Sequence, residues 1–250
     1  QRVVSYPYWC YWYRPYSNYG TSVEITNGAC ETNAKGEYEI EFKALPDPTA
    51  DNKNNPTYLY TIIADVTDIN GETRSTKTFF RVANHALELS VNVPETINTN
   101  NLPKITISAH NLNGVEENAK GTFNVYSLKQ NTKIFRKRLW AQPDKHLFTR
   151  EEYYKLFPND MYDDETNIYK WERLKLMFSK NFDTKTSKNN IYNEFENLPQ
   201  GVYVIETNCK DKNNQDVKTI NYVTIFNPTK NELPVAKPFW PLPIKTTCEP

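Results

Sequence analysis

The side chains with most capacity for chemistry are four cysteines, three histidines and a large set of carboxylates. Cys10, Cys30, Cys209 and Cys248 never come within a Cys-x-x-Cys spacing, so the sequence writes neither a redox pair nor one arm of a zinc site. Four cysteines allow three full pairings. Cys10 with Cys30 would close a loop near the N-terminus, Cys209 with Cys248 would pin the tail, and unpaired thiols fit equally well. His85, His110 and His146 fall on separate predicted elements, with no HxxxH or HExxH among them, so a zinc site finds no ligand set.

Residues 65–72 and 211–216 have the Asp and Asn content of calcium loops, but an EF-hand needs Gly at position six and Glu at twelve. Counting back from Gly71 puts Val66 first, and counting on from Asp211 puts Asp216 at six and Tyr222 at twelve. Both segments read as turns whose Asx side chains accept from nearby backbone N–H groups. There is no G-x-S-x-G elbow, and seven glycines supply no phosphate loop. Two carboxylates facing across a groove would make a glycosidase pair, but any acid-rich chain allows that. No catalytic, cofactor-binding or metal-binding residue is assigned, and an enzyme is not expected.

Binding chemistry has more to work with. Residues 133–138 read KIFRKR, next to Leu139 and Trp140, and residues 158–165 read PNDMYDDE. A nucleic-acid reader would rarely place an acidic run so near, and 30 basic residues against 30 acidic leave no net field to steer polyanions. Complementary charge inside a folded segment is the plainer reading. A partner-binding surface on Arg136, Arg138 and Trp140 is the sharper one. At the N-terminus, Trp9 and Trp12 lie in an aromatic run broken by Pro7. The run is expected to be a bending edge strand packed on its own domain or a neighbour, with a carbohydrate platform as the alternative.

The elements that must position these groups are β. Seventeen Tyr and 12 Phe suit pleated surfaces, and 16 Pro with abundant Asn favour turns over helix interiors. Val23 and Ile25 turn around Asn27 and Gly28. Tyr38, Ile40 and Phe42 alternate with glutamates, which predicts a strand with one wet face. Residues 57–82 form a long hairpin about Asn70 and Gly71, a pair favoured where both turn residues need positive φ. Further strands are expected at 87–93, 105–109, 121–128, 177–182, 201–205 and 217–226. Within residues 133–176 the β pattern breaks. Thr149 with Glu152 makes a capping box for a helix over 150–157, and a second helical stretch is expected over 168–174. Residues 61–82 and 203–225 share an apolar strand, an Asp-led turn and a returning strand, which reads as two copies of one unit.

The expectation is therefore an all-β chain of two tandem immunoglobulin- or fibronectin-like sandwiches. The first spans 1–83, the second 84–228 with a partly helical insertion at about 133–176, and 229–250 form a Pro-rich tail or linker. No apolar tract is long enough to span a membrane. Gln1 opens without a signal-like region, which fits a processed chain or an internal fragment.

Several segments resemble the large bacterial alpha-2-macroglobulin-like proteins, particularly those of Bacteroidetes: FKALPDP at 42–48, YTIIADVTDINGETRSTKTFFRV at 60–82, NLNGVEENAKGTFNVYSL at 111–128, KIFRKRLWAQPDKHLFTREEYYKLFPND at 133–160 and LPQGVYVIE at 198–206. The likeness covers roughly 20–228. It implies seven-stranded macroglobulin domains within a longer, often lipid-anchored protein of the periplasm and cell envelope. Such proteins trap or inhibit proteases with a bait segment and, in many members, a thioester of the Cys-Gly-Glu-Gln kind. Here the four cysteines are followed by Tyr11, Glu31, Lys210 and Glu249, so the resemblance implies scaffold and not covalent trapping. Its expected partners are neighbouring domains of the same protein and, through them, proteases. A surface module for glycan or protein is the alternative.

Overall fold

The structure is a computed structural model that describes residues 1–5, 22–50, 56–186, 193–230 and 232–238. Trp9, Trp12, Cys10 and Cys248 lie outside the described residues. The fold is all-β: ten strands and one α-helix are described.

Four turns recur with one local design. Residues 33–37, 68–72, 111–115 and 211–215 each begin with Asn or Asp. In each, the first N–H donates to the fifth carbonyl and the fourth N–H to the first carbonyl. The leading side chain accepts from the third and fifth N–H groups. The fourth residue takes positive φ: Gly36 77°, Gly71 83°, Gly114 84° and Asn214 60°. This is a type I turn followed by a left-handed residue, the standard three-residue hairpin loop. It corrects the expectation at Asn70 and Gly71, because only Gly71 has positive φ. The Asp68 carboxylate satisfies Asn70 N–H in a right-handed turn, so the tighter two-residue loop is not needed.

The N-terminal unit contributes one antiparallel sheet, ordered β1-β2-β3, from Arg2–Ser5, Thr57–Thr67 and Thr73–Ala83. The β2–β3 hairpin pairs without a slip from Thr57 with Ala83 to Thr67 with Thr73. Tyr60 stacks on Phe80 at 5.5 Å, and Phe42 leans on both. Arg2 is buried, and it donates to Leu45 O and pairs with Asp47 at 3.0 Å. Neither the turn expected at Asn27 and Gly28 nor the strand expected at Tyr38, Ile40 and Phe42 forms. Val23 bridges Arg2, and residues 37–43 carry no strand assignment. Their alternation is present, but a strand also needs a neighbour for its backbone, and none among the described residues supplies one.

The C-terminal unit is a sandwich of seven strands. Five form the sheet β5-β10-β9-β7-β8, and two form β4-β6. Their spans are β4 Leu87–Asn92, β5 Thr96–Asn98, β6 Thr106–Asn111, β7 Lys120–Leu128, β8 Arg173–Asp183, β9 Gly201–Lys210 and β10 Asp216–Phe226. β5 was not foreseen. It is three residues long and pairs in parallel with the end of β10. Leu87, Val91, Ile105 and Ala109 of the small-sheet side pack against Phe123, Val125, Ile205 and Val223 of the large sheet. Phe195, from the 3-10 turn Asn193–Asn197, closes the core edge-on to Phe178 at 5.3 Å and Phe123 at 6.4 Å. β9 is apolar on both faces, because Val202 and Val204 project away from this core into a second cluster with Leu128. Such a strand must be covered on both sides, and the cover on the outer side is the insertion together with Val235.

On the same outer face, Glu206 accepts from Arg173 at 2.7 Å, Lys218 at 2.8 Å and Asn208 at 3.0 Å. Burial would raise its pKa, but Lys218, Arg173 and Asn208 outweigh burial and hold it at about 2, against an ordinary 4.5. A depressed carboxylate pKa adds stability that is complete above the unfolded value and fades as pH falls through the folded one. Glu206→Gln is therefore expected to cost about 1–2 kcal/mol at pH 7, modest because solvent screens the two cations. The difference from wild type should shrink between pH 4.5 and 2. Urea unfolding across that range measures it, and a pH-independent difference would contradict the assignment.

Candidate functional site

The insertion leaves β7 at Leu128 and re-enters at Arg173, so it occupies residues 129–172. The end expected at 176 moves back because β8 already starts at Arg173. The helical stretch expected over 168–174 is cut to the 3-10 turn Ile168–Lys170 for the same reason. At its base, Lys129 N–H donates to Glu172 O at 2.9 Å, and the two side chains pair at 2.9 Å. Ile168 and Trp171 pack over Leu128, Val202 and Val204.

The Glu165 carbonyl ties the two ends of the insertion together, accepting from Trp171 Nε1 at 2.7 Å and from Asn131 Nδ2 at 2.9 Å. Its carboxylate accepts from Tyr154 Oη at 2.6 Å and from Asp163 N. Burial, followed by that carboxylate, pushes the Tyr154 phenol well above its ordinary pKa. Tyr154 is thus a structural donor at neutral pH.

α1, Arg150–Leu156, starts on the predicted capping box: Glu152 N–H donates to Thr149 Oγ1, and Thr149 N–H donates to the Glu152 carboxylate. Hydrogen bonds from the Thr149 backbone and hydroxyl lower the Glu152 pKa. Phe157 closes the helix at its C-cap. Arg150 pairs with Asp163, and His146 stacks on Tyr162 at 3.9 Å with its Nε2 3.3 Å from Asp163.

The basic run meets the acidic one within this insertion. Arg136 Nε donates to Asp160 at 2.7 Å. Arg138 Nη2 donates to the carbonyls of Met161, Tyr162 and Asp163 at 2.9, 3.2 and 2.8 Å. These two sequence-predicted binding residues therefore brace the fold. Trp140 stands apart from them, 62% exposed, on a loop with Leu139 at 86% and Leu147 at 92%. Sequence reading missed Asp163 and Glu165 as the organising groups. The acidic run was the available signal, but nothing local shows which arginine each carboxylate meets.

The cysteines lie apart. Cys30 is exposed and Cys209 buried, both as free thiols, and each suggested pairing involves a residue outside the described set. Burial, then the neighbouring Asp211 charge, raises the Cys209 thiol to about 11, so it stays protonated at neutral pH and is a poor nucleophile. Among the described residues, no three His, Cys, Asp or Glu side chains gather as metal ligands. No described helix is long and apolar enough to cross a membrane. The chain matches no protein-family model, and it matches no curated protein.

Proposed function

We propose that this chain is a non-catalytic scaffold segment of a longer alpha-2-macroglobulin-like protein of the cell envelope, facing the extracytoplasmic space. In this reading, its insertion presents a docking surface to a neighbouring domain of that protein. The observation that carries it is the contrast inside the insertion. Arg136, Arg138, Tyr154 and Trp171 are engaged within the insertion, and Ile168 and Trp171 pack on the sandwich, while Leu139, Trp140 and Leu147 are exposed. Isolated soluble surfaces seldom concentrate exposed large apolar side chains, which is the feature a docking surface needs. The macroglobulin-like motifs and the seven-stranded C-terminal sandwich support the family assignment.

Two measurements test the reading. The purified chain should leave the activity of broad-specificity proteases unchanged, and inhibition by this chain alone would overturn the scaffold role. Amides of residues 139–148 should exchange rapidly in the 250-residue chain and become protected in the longer protein. Equal exchange in both would overturn the docking role.

A further inference from the structure

Three of the seven glycines follow an asparagine, giving the pairs Asn27 with Gly28, Asn70 with Gly71 and Asn113 with Gly114. Such a pair can cyclise. The glycine amide nitrogen attacks the asparagine side-chain carbonyl carbon, and glycine, with no Cβ, leaves that approach unhindered. The ring closes only when the asparagine backbone swings the following nitrogen onto Cγ, so a pair locked in a turn is held away from it.

Two of the three pairs are locked. Asn70 and Asn113 stand third in the hairpin loops 68–72 and 111–115. Their attacking nitrogens are already donors, Gly71 N to Asp68 O at 3.0 Å and Gly114 N to Asn111 O at 2.9 Å. The leading side chains hold the Asn70 and Asn113 N–H groups at 2.8 and 3.0 Å, and positive φ at Gly71 and Gly114 completes each loop. Asn27 and Gly28 share none of this. Both are exposed and lie outside any helix, strand or turn, and among the described residues no acceptor takes the Gly28 N–H. The Asn27 side chain is tethered by one exposed hydrogen bond, from Nδ2 to Glu24 Oε1 at 2.7 Å. Nor does the backbone need glycine here: φ at Gly28 is not positive, and an added Cβ would meet nothing within 4 Å.

We propose that Asn27 is a site of spontaneous deamidation, giving aspartate and isoaspartate at residue 27, and that the two hairpin asparagines are protected by their loops. The Gly28 nitrogen bonds to Asn27 Cγ as the Cγ–Nδ2 bond breaks, and ammonia leaves with the proton that the Gly28 nitrogen gives up. Water then opens the cyclic imide at either carbonyl, giving the aspartyl or the isoaspartyl backbone. Solvent water is the only co-reactant. The product carries a carboxylate beside Glu24, in a segment bordering a groove that already holds Glu39, Glu41 and Asp65. The Nδ2 donor is lost and like charges meet, which loosens residues 24–30. The inference is independent of the family reading.

The test incubates the full chain at neutral pH and body temperature and follows each asparagine by peptide mass spectrometry, with isoaspartate read by enzymatic methyl transfer. Asn27 should convert about tenfold or more faster than Asn70 or Asn113, because each of those must first open its loop and break the hydrogen bonds there. In the urea-unfolded chain the three rates should converge. Gly28→Ala should slow conversion at Asn27 several-fold without moving the thermal midpoint. Asp68→Ala, which frees the Asn70 and Glu72 N–H groups, should speed conversion at Asn70 and leave Asn27 unchanged. Equal rates at the three sites in the folded chain would overturn the proposal. So would a lead for Asn27 that persists undiminished in urea, because local sequence and not the fold would then set the difference.

Discussion

Gly121→Ala is expected to unfold the C-terminal sandwich at temperatures where the parent chain is folded. A Cβ at this position would lie 2.0 Å from the Asn208 carbonyl oxygen, and 2.9 Å from both the Asn208 carbonyl carbon and the Cys209 Cβ. The obstacle is backbone, so no rotamer change relieves it. β7 cannot retreat either, because Gly121 is flanked by Cys209 of β9 and Phe182 of β8. Overpacking a well-packed interior costs about 1–3 kcal/mol and occasionally more, and contact with the middle of a sheet belongs at the upper end. A loss of about 3 kcal/mol is a large fraction of the stability of a domain this size. The neighbouring Thr122→Ala, which adds no atom, should shift the midpoint far less. Thermal unfolding followed by near-UV circular dichroism compares them, and equal midpoints would show that the strands separate at little cost.

Asp211→Ala should cost about 3 kcal/mol, from the loss of three hydrogen bonds to one charged acceptor. Asp211 is buried, and its Oδ1 accepts from Asn213 N and Gln215 N, each at 2.8 Å. Its Oδ2 accepts from Ala86 N at 2.7 Å. Ala86 lies in the three-residue link between β3 and β4, so one carboxylate holds both the β9–β10 turn and the junction between β3 and β4. The related turns at 33–37 and 111–115 use Asn as the leading residue. An amide oxygen thus suffices for the turn, and the second carboxylate oxygen is what the junction requires. Asp211→Asn should therefore spare the turn and loosen the junction, seen as faster amide exchange at Ala86 with little change at Gln215. Equal loss at both amides would refute this division of labour.

Acid should loosen the same place. Burial tends to raise the Asp211 pKa, but the Ala86, Gln215 and Asn213 N–H groups outweigh it and lower the value. Stability from Asp211 is thus present above the ordinary carboxylate range and lost below it. His85 beside it is buried, and burial lowers its pKa against the pull of Glu88 and Asp211. The unfolded chain takes up that proton first as pH falls, which again favours unfolding in acid.

What the sequence determined by itself was whatever a few neighbouring residues decide together. The Asp68 and Asp211 turns and the start of α1 at Thr149 follow from contacts within about five positions and were legible, and so, from alternation, were the β2–β3 hairpin and every strand of the C-terminal sandwich except β5. Within the candidate site, the aromatic and charged runs were legible as well, but the exposure of Trp140 was not. The tertiary structure alone decided which groups meet across long separations. Arg138 spans to the carbonyls of 161–163, Trp171 turns onto the outer face of β9, and three residues at Thr96–Asn98 become a strand because β10 offers them an edge. The same rule explains residues 37–43, whose alternation is as regular as that of any strand in the chain. A side-chain pattern selects a face, but backbone hydrogen bonds need a partner strand, and a partner is a property of the fold and not of the segment.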